Sequence, residues 1–217
     1  MYLIMASFLG LAMVFINPPF AGVPDEHAHY LKASAVANGY WRCSGNDQIS
    51  QDAFELADKL KPMDVEGAKD QKVALGKIKK EFFADSDYSQ TKTVGLLCGA
   101  SFTAYFPQSG GIFLGEKLGL SVLAGFYLAR IFNLLAAIFL IFWAIKKIPL
   151  GKSVLLVIAL LPMTLQQIAS ASYDALHIGF SFLFLALVLD RAFQDKNLTW
   201  KEMGALFLLA LIGLNIK

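Results

Sequence analysis

The sequence predicts an all-α, polytopic helical membrane protein with one large polar insertion after its first transmembrane helix. Three observations carry this. The 217 residues are 56% hydrophobic and only 17% charged, with a mean hydropathy of +0.54; a soluble domain gives about a quarter of its residues to charge. The charges are segregated, with 13 acidic and 11 basic residues between Asp25 and Lys117 and few elsewhere. Long apolar runs flank that polar window, and the remaining charges lie mostly at their ends. The lipid bilayer is therefore the expected partner. A net charge of +2, with no basic stripe interleaved with aromatics, argues against nucleic acid.

Residues 1–17 form the first transmembrane helix. The run Met1–Ile16 has no basic start and no small-x-small site after it, so it reads as a retained signal anchor. It is somewhat short of the roughly 20 residues a perpendicular helix needs. The stretch Asn-Pro-Pro-Phe-Ala-Gly-Val-Pro-Asp-Glu-His-Ala-His-Tyr follows, from Asn17 to Tyr30. Pro18, Pro19, Gly22 and Pro24 cannot continue the helix. A new helix is expected from Pro24 to Trp41, with Asp25 and Glu26 in its first turn, where carboxylates suit the helix dipole. Residues 18–41 thus make an interfacial helix with an acidic motif, and Tyr30, Tyr40 and Trp41 suit the membrane interface.

Residues 42–119 form an extracytoplasmic insertion and a re-entry segment. Phe54, Leu56 and Leu60, then Val73, Leu75, Ile78 and Phe82, have helical spacing and predict two or three short helices. Lys77, Lys79, Lys80 and Glu81 read as a solvated face. Cys43 and Cys98 bracket the insertion and can close its neck as a disulfide in an oxidising compartment. The chain-entropy contribution for such a loop is about 4 kcal/mol at most. Two separate buried thiols are the alternative. Residues 101–119 re-enter and carry a short helix ending near Gly119.

Residues 120–217 hold transmembrane helices 2–5, expected at 120–145, 150–168, 175–189 and 203–216. The last is too short to cross, which predicts a chain cut from a longer protein. Lys146, Lys147, Lys152, Arg191, Lys196 and Lys201 collect on one side, which the short-loop rule makes cytoplasmic. The Asp25 helix, the insertion and Asp174 fall on the other.

Few residues can carry chemistry. Asp25, Glu26 and Asp174 are the candidate catalytic carboxylates, each also readable as a helix cap. Arg130 lies inside the second span, where a charge is costly without a partner or a wet cavity. It serves either as a lipid-phosphate clamp, slightly favoured, or as half of a structural ion pair, with Asp174 the suggested partner. Asn133 lies three residues on and can share its face. His29 is four residues from Asp25, the spacing of two ligands on one helix face. Asp25 and His29 are therefore candidate metal ligands, with no third ligand fixed by the sequence, and hydrated Mg²⁺ or Mn²⁺ on Asp25, Glu26 and Asp174 is chemically easier than zinc. There is no phosphate loop, no GxSxG and no CxxC.

Three stretches, read together, carry a resemblance: Pro18-Pro19-Phe20…Pro24-Asp-Glu-His-Ala-His-Tyr30, Tyr127-Leu-Ala-Arg-Ile-Phe-Asn-Leu134, and Leu160-Leu-Pro-Met-Thr-Leu…Ser170-Ala-Ser-Tyr-Asp-Ala-Leu176. The chain resembles a bacterial family of multipass membrane proteins with a domain of unknown function. That family occurs near cell-surface polysaccharide genes and looks related to the GT-C glycosyltransferases. The resemblance omits residues 44–97, and His27 departs from it where proline is the usual residue. It implies a GT-C-like fold in the bacterial inner (cytoplasmic) membrane and a polyprenyl-phosphate-linked sugar donor. It also implies an acidic residue at the start of the first outward loop, which Asp25 matches. The expected function is glycosyl transfer in cell-envelope polysaccharide synthesis or modification. The rivals are a transporter or flippase of lipid-linked saccharide and a non-catalytic assembly protein.

Overall fold

A computed structural model describes residues 1–20, 22–42, 45–60, 75–95, 101–193 and 199–216. Helix α1 (Tyr2–Ile16) runs into the proline-rich break, and α2 (Glu26–Ala37) follows it. Strand β1 (Asp47–Ser50), α3 (Gln51–Leu60), α4 (Leu75–Phe82) and strand β2 (Thr91–Val94) make the insertion. A single 3-10 turn (Phe102–Tyr105) leads into α5 (Phe106–Lys117). Then come α6 (Val122–Lys147), α7 (Lys152–Ala159), α8 (Pro162–Ile168), α9 (Asp174–Ala192) and α10 (Trp200–Ile216).

The organising element is α6, the longest helix. Small residues let its neighbours approach closely, as is usual between membrane helices. A side chain at Gly10 on α1 would strike Leu134 at 2.5 Å. On α5, one at Gly111 would meet the backbone of Leu128 and Ala129 at 2.6 Å, and one at Gly115 would meet the Gly125 Cα at 2.8 Å. On α9, one at Gly179 would meet Leu140 at 2.9 Å. The pairing of Gly111-x-x-x-Gly115 with Gly125-x-x-x-Ala129 is a small-residue seam between α5 and α6.

Among the described residues, α6 and α9 are each long and apolar enough to cross a membrane alone. The expected third span is interrupted. Pro162 supplies no N–H and pushes Leu161 out of the helical region, to φ −59°, ψ 141°. The result is two short helices, α7 and α8. The Thr164 hydroxyl donates to the Ile158 carbonyl at 2.8 Å and satisfies part of the freed backbone.

The insertion departs from the helical expectation in one respect. β1 and β2 pair antiparallel, Asp47 opposite Val94 and Ser50 opposite Thr91. Backbone pairing therefore closes its neck. Cys43 and Cys98 lie outside the described residues, as does Val73. The insertion is fastened to the rest at several places, including the Ser121 hydroxyl donating to the Phe82 carbonyl at 2.6 Å and the Val122 amide to the Ser86 hydroxyl at 3.0 Å. Lys32 on α2 and Asp47 on β1 form a buried ion pair at 3.5 Å. The Tyr88 hydroxyl donates to the Leu120 carbonyl at 2.7 Å.

The two ends of the bundle differ in chemistry. Ala144, Ile148, Leu155 and Ala186 pack together at one end. Lys146, Lys147, Lys152 and Arg191 sit on the helix termini there, and Arg191 pairs with Glu202 of α10 at 2.5 Å. The acidic residues of the expected site lie at the other end.

Candidate functional site

The site begins with the break between α1 and α2. Two non-glycine residues there have left-handed backbone, Phe20 at φ +60° and Asp25 at φ +56°. Such a conformation costs roughly 1–2 kcal/mol for an ordinary residue. It is uncommon outside glycine, though Asp tolerates it better than most. Phe20 is held because its ring is buried against Tyr30 and Phe126, at centroid distances of 5.2 and 4.4 Å. Asp25 is held by the residue that follows it.

That residue is Glu26, fully buried and locked to Arg130. The Arg130 Nε donates to Glu26 Oε1 at 2.8 Å and Nη2 donates to Oε2 at 2.6 Å. Nη1 donates to the carbonyls of Val14 and Asn17, both at 2.8 Å, and Nη2 to that of Pro18 at 3.1 Å. All five N–H donors of the guanidinium are thereby used, three of them on carbonyls released where α1 stops. The guanidinium also lies 4.6 Å from the Phe126 ring centroid, which adds a cation–π contact. Arg130 is therefore a structural ion-pair residue, and its partner is Glu26 in place of Asp174. No donor remains for a lipid phosphate. Glu26, expected among the catalytic carboxylates, is committed to the same clamp.

A second connection joins this clamp to the break before α9. The Ala171 amide donates to Glu26 Oε1 at 2.9 Å. Asn133, one turn from Arg130, donates through Nδ2 to the carbonyls of Ser170 and Ser172, both at 2.8 Å. The side chain of Gln166 donates to the Gly22 carbonyl at 2.6 Å. Asn133 is thus buried and structural, and substrate contact is not open to it. Together these bonds fix the position of Asp25 relative to Asp174.

Neither of those two carboxylates caps its helix. Asp25 occupies the N-cap position of α2 and its carbonyl accepts from the His29 amide at 3.1 Å, yet its side chain makes no capping bond. The expected helix start at Pro24 is displaced, and Asp25 lies outside the first turn. Asp174 is the first residue of α9, and its Oδ2 accepts from the Ser172 hydroxyl at 3.1 Å. Asp25 is exposed and Asp174 half-buried.

His29 lies between them. Its Nδ1 shares a 3.1 Å hydrogen bond with the Tyr105 hydroxyl, and its ring meets Tyr173 edge-on at 4.7 Å. Burial lowers the His29 pKa, while the nearby charges of Asp174, Asp25 and Glu26 pull it back up. Burial also raises the Tyr105 hydroxyl, helped by Tyr173 and Asp174. The cluster is therefore two carboxylates around an imidazole kept toward its neutral form, backed by two tyrosines. Tyr105 and Tyr173 were not legible as site residues, since nothing local to them in the sequence points to His29. Among the described residues no three His, Cys, Asp or Glu side chains group as a metal-ligand set.

Residues 7–217 match the model of a family described as predicted membrane protein (DUF2142). The chain belongs to that family. The match spans all three breaks and every helix that frames the acidic cluster, so the cluster lies within the family's own region. No curated protein and no solved structure matches the chain. This member of the family is a membrane protein whose acidic cluster is built on helix breaks locked to α6.

Proposed function

We propose that this protein is a GT-C-like glycosyltransferase of the bacterial cell envelope, using a sugar carried on a polyprenyl phosphate. The observation that carries the reading is that Asp25 and Asp174, held in register by Arg130, Glu26 and Asn133, are both left uncapping beside His29. A strained backbone at an exposed carboxylate is typical of functional positions. The concentration of Lys146, Lys147, Lys152 and Arg191 at the opposite end supports a cytoplasmic placement of that end. The acidic cluster and the insertion then face outward from the inner membrane, on a multipass chain.

In the proposed reaction a carboxylate, Asp25 or Asp174, takes the proton of an acceptor hydroxyl. The oxygen bonds to the anomeric carbon as the bond from that carbon to the phosphate oxygen breaks. Polyprenyl phosphate leaves with the electron pair. His29 and Tyr105 hold the acceptor end of the site through their shared hydrogen bond. A divalent cation at Asp25 and Asp174 would need water for most of its ligands, an all-oxygen set that suits Mg²⁺ or Mn²⁺, whereas the His29 imidazole would suit zinc. Such an ion would supply charge neutralisation to the leaving phosphate.

The broken helix α7–α8 favours one other reading, a transporter or flippase of lipid-linked saccharide, because interrupted helices frame many transporter sites. Transfer from a polyprenyl-linked sugar by purified full-length protein decides between them. Asp25→Asn should slow transfer by about 10²-fold or more. Saccharide movement across vesicles without any transfer product would leave the transporter.

A further inference from the structure

Helix α4 of the insertion buries none of its residues fully, and part of its outward surface is apolar. Leu75 is 83% exposed, and Phe83, just past the helix end, is 75% exposed. The other side of α4 is accounted for. Ile78 packs against the core. The Lys77 ammonium donates to the Lys59 carbonyl at 2.8 Å and Glu81 pairs with Lys59, so both turn toward α3. The solvated face expected for Lys77, Lys79, Lys80 and Glu81 is therefore divided. At about 100° per residue, the remaining arc carries Leu75, Lys79, Phe83 and Lys80 in that order, with no carboxylate among them. All four are exposed. Apolar side chains interleaved with lysines on one open arc suit a helix lying flat in a membrane interface.

Ring contacts set the level at which that arc lies. Phe82 meets Tyr127 of α6 at a centroid distance of 5.9 Å, and Tyr127 stacks on Phe15 in the last turn of α1 at 5.3 Å. Phe83 meets Phe82 edge-on at 5.2 Å. Phe15 and Ile16 are themselves exposed, so α4 sits beside the point where the open apolar side of α1 ends. Helix α6 has 26 residues, a length of about 39 Å. A bilayer with a hydrocarbon core of about 30 Å, centred on α6, leaves about 4–5 Å of helix beyond the core at each end. Tyr127, in the second turn of α6, then lies within about 3 Å of the hydrocarbon edge. We propose that α4 rests on the bilayer at the acidic-cluster end, with Leu75 and Phe83 at the acyl boundary and Lys79 and Lys80 on anionic lipid headgroups. An anionic leaflet attracts each such lysine at short range, and salt screens the attraction. The contact does not depend on the glycosyl-transfer reading.

Site-directed quenching tests this on purified full-length protein carrying Cys43→Ser and Cys98→Ser. A single fluorophore is attached at Leu75→Cys, at Phe83→Cys or at Asp58→Cys, an exposed position on α3 that serves as the water-facing control. The protein is placed in nanodiscs of phosphatidylcholine and phosphatidylglycerol at low salt. Quenching is read with acrylamide from the water and with lipid bearing a nitroxide near the headgroup end of its acyl chain. At Leu75 and Phe83, nitroxide quenching about threefold or more above that at Asp58 is expected, with acrylamide quenching about threefold or more below it. Nitroxide carried on phosphatidylglycerol should quench the Phe83 probe about twofold more than the same nitroxide on phosphatidylcholine. Lys79→Gln combined with Lys80→Gln should make the two lipids equal. Acrylamide reaching Leu75 and Phe83 as freely as Asp58 overturns the proposal, because α4 then stands in water. Protection from both quenchers overturns it as well, because a protein surface then covers the arc. Equal quenching by the two lipids with both lysines present overturns the anionic-headgroup contact.

Discussion

Arg130 and Asn133 lie one turn apart on α6 and reach different breaks in the chain. Arg130 holds the end of α1 and, through Glu26, the start of α2. Asn133 holds the segment that leads into α9. Glu26 bridges the two by accepting from Ala171. The longest helix thus sets the spacing of two carboxylates that it does not itself carry.

The clamp is expected to be essential to folding. Arg130→Met leaves a buried carboxylate and three carbonyls without their donors. Breaking one side of a buried pair costs about 3–5 kcal/mol. For a chain of this size, that is a drop of roughly 6–20 °C in Tm, measured on detergent-purified protein. Glu26→Gln should fall in the same direction. An Arg130→Met protein with wild-type Tm would remove the clamp as the organiser of the site.

Asp25→Gly separates strain from chemistry. Glycine accepts φ +56° freely, so the variant should gain up to about 1 kcal/mol from the folded backbone, offset in part by its more mobile unfolded chain. Thermal unfolding should therefore show equal or higher stability than Asp25→Asn, while the transfer assay shows both inactive. Activity in Asp25→Gly would assign the residue a purely conformational role.

His29 gives a pH signature. Burial lowers its pKa in the folded protein, so the unfolded chain takes up the proton first as pH falls. The stability from this group is complete above its ordinary value of about 6.5 and declines below it. Tm measured from pH 8 to pH 5 should fall more steeply in wild type than in His29→Asn. Parallel curves for the two proteins would show that His29 is not desolvated in the native state.

Lys32 and Asp47 should be coupled. Asp47→Ala leaves a buried ammonium without its ion-pair partner, at a cost of about 3–5 kcal/mol. Pairing it with Lys32→Met should recover part of that loss, giving a non-additive cycle. Additive losses would show that the two charges do not act on one another.

The apolar runs made most of the helices legible, because hydropathy and proline breaks are local signals. The interruption at Pro162 was written in the sequence too, but the apolar run continues through it and hides the break. The β1–β2 pairing was not legible, since four-residue strands separated by two helices leave no period to read. Within the site, Asp25, Asp174 and His29 stand out as polar residues beside apolar runs. The partner of Arg130 did not, because two adjacent carboxylates differ only by a rotation of about 100° around the helix. That rotation sends Glu26 into the core and leaves Asp25 exposed. Spacing along the chain could not reveal the Arg130–Glu26 pair, whose members are 104 positions apart.

The bond from Ala171 to Glu26 spans 145 positions. At a synthesis rate of about 5–20 residues per second, roughly 7–30 s separate the translation of its two ends. For that interval α1 and α2 exist without the Ala171 bond, and until Arg130 is made, 104 positions after Glu26, without the ion pair as well. The acidic cluster is therefore a late product of biogenesis, assembled only once the chain has reached the residues just before α9. Any chain arrested before that point would carry the acidic motif without the geometry that gives it meaning.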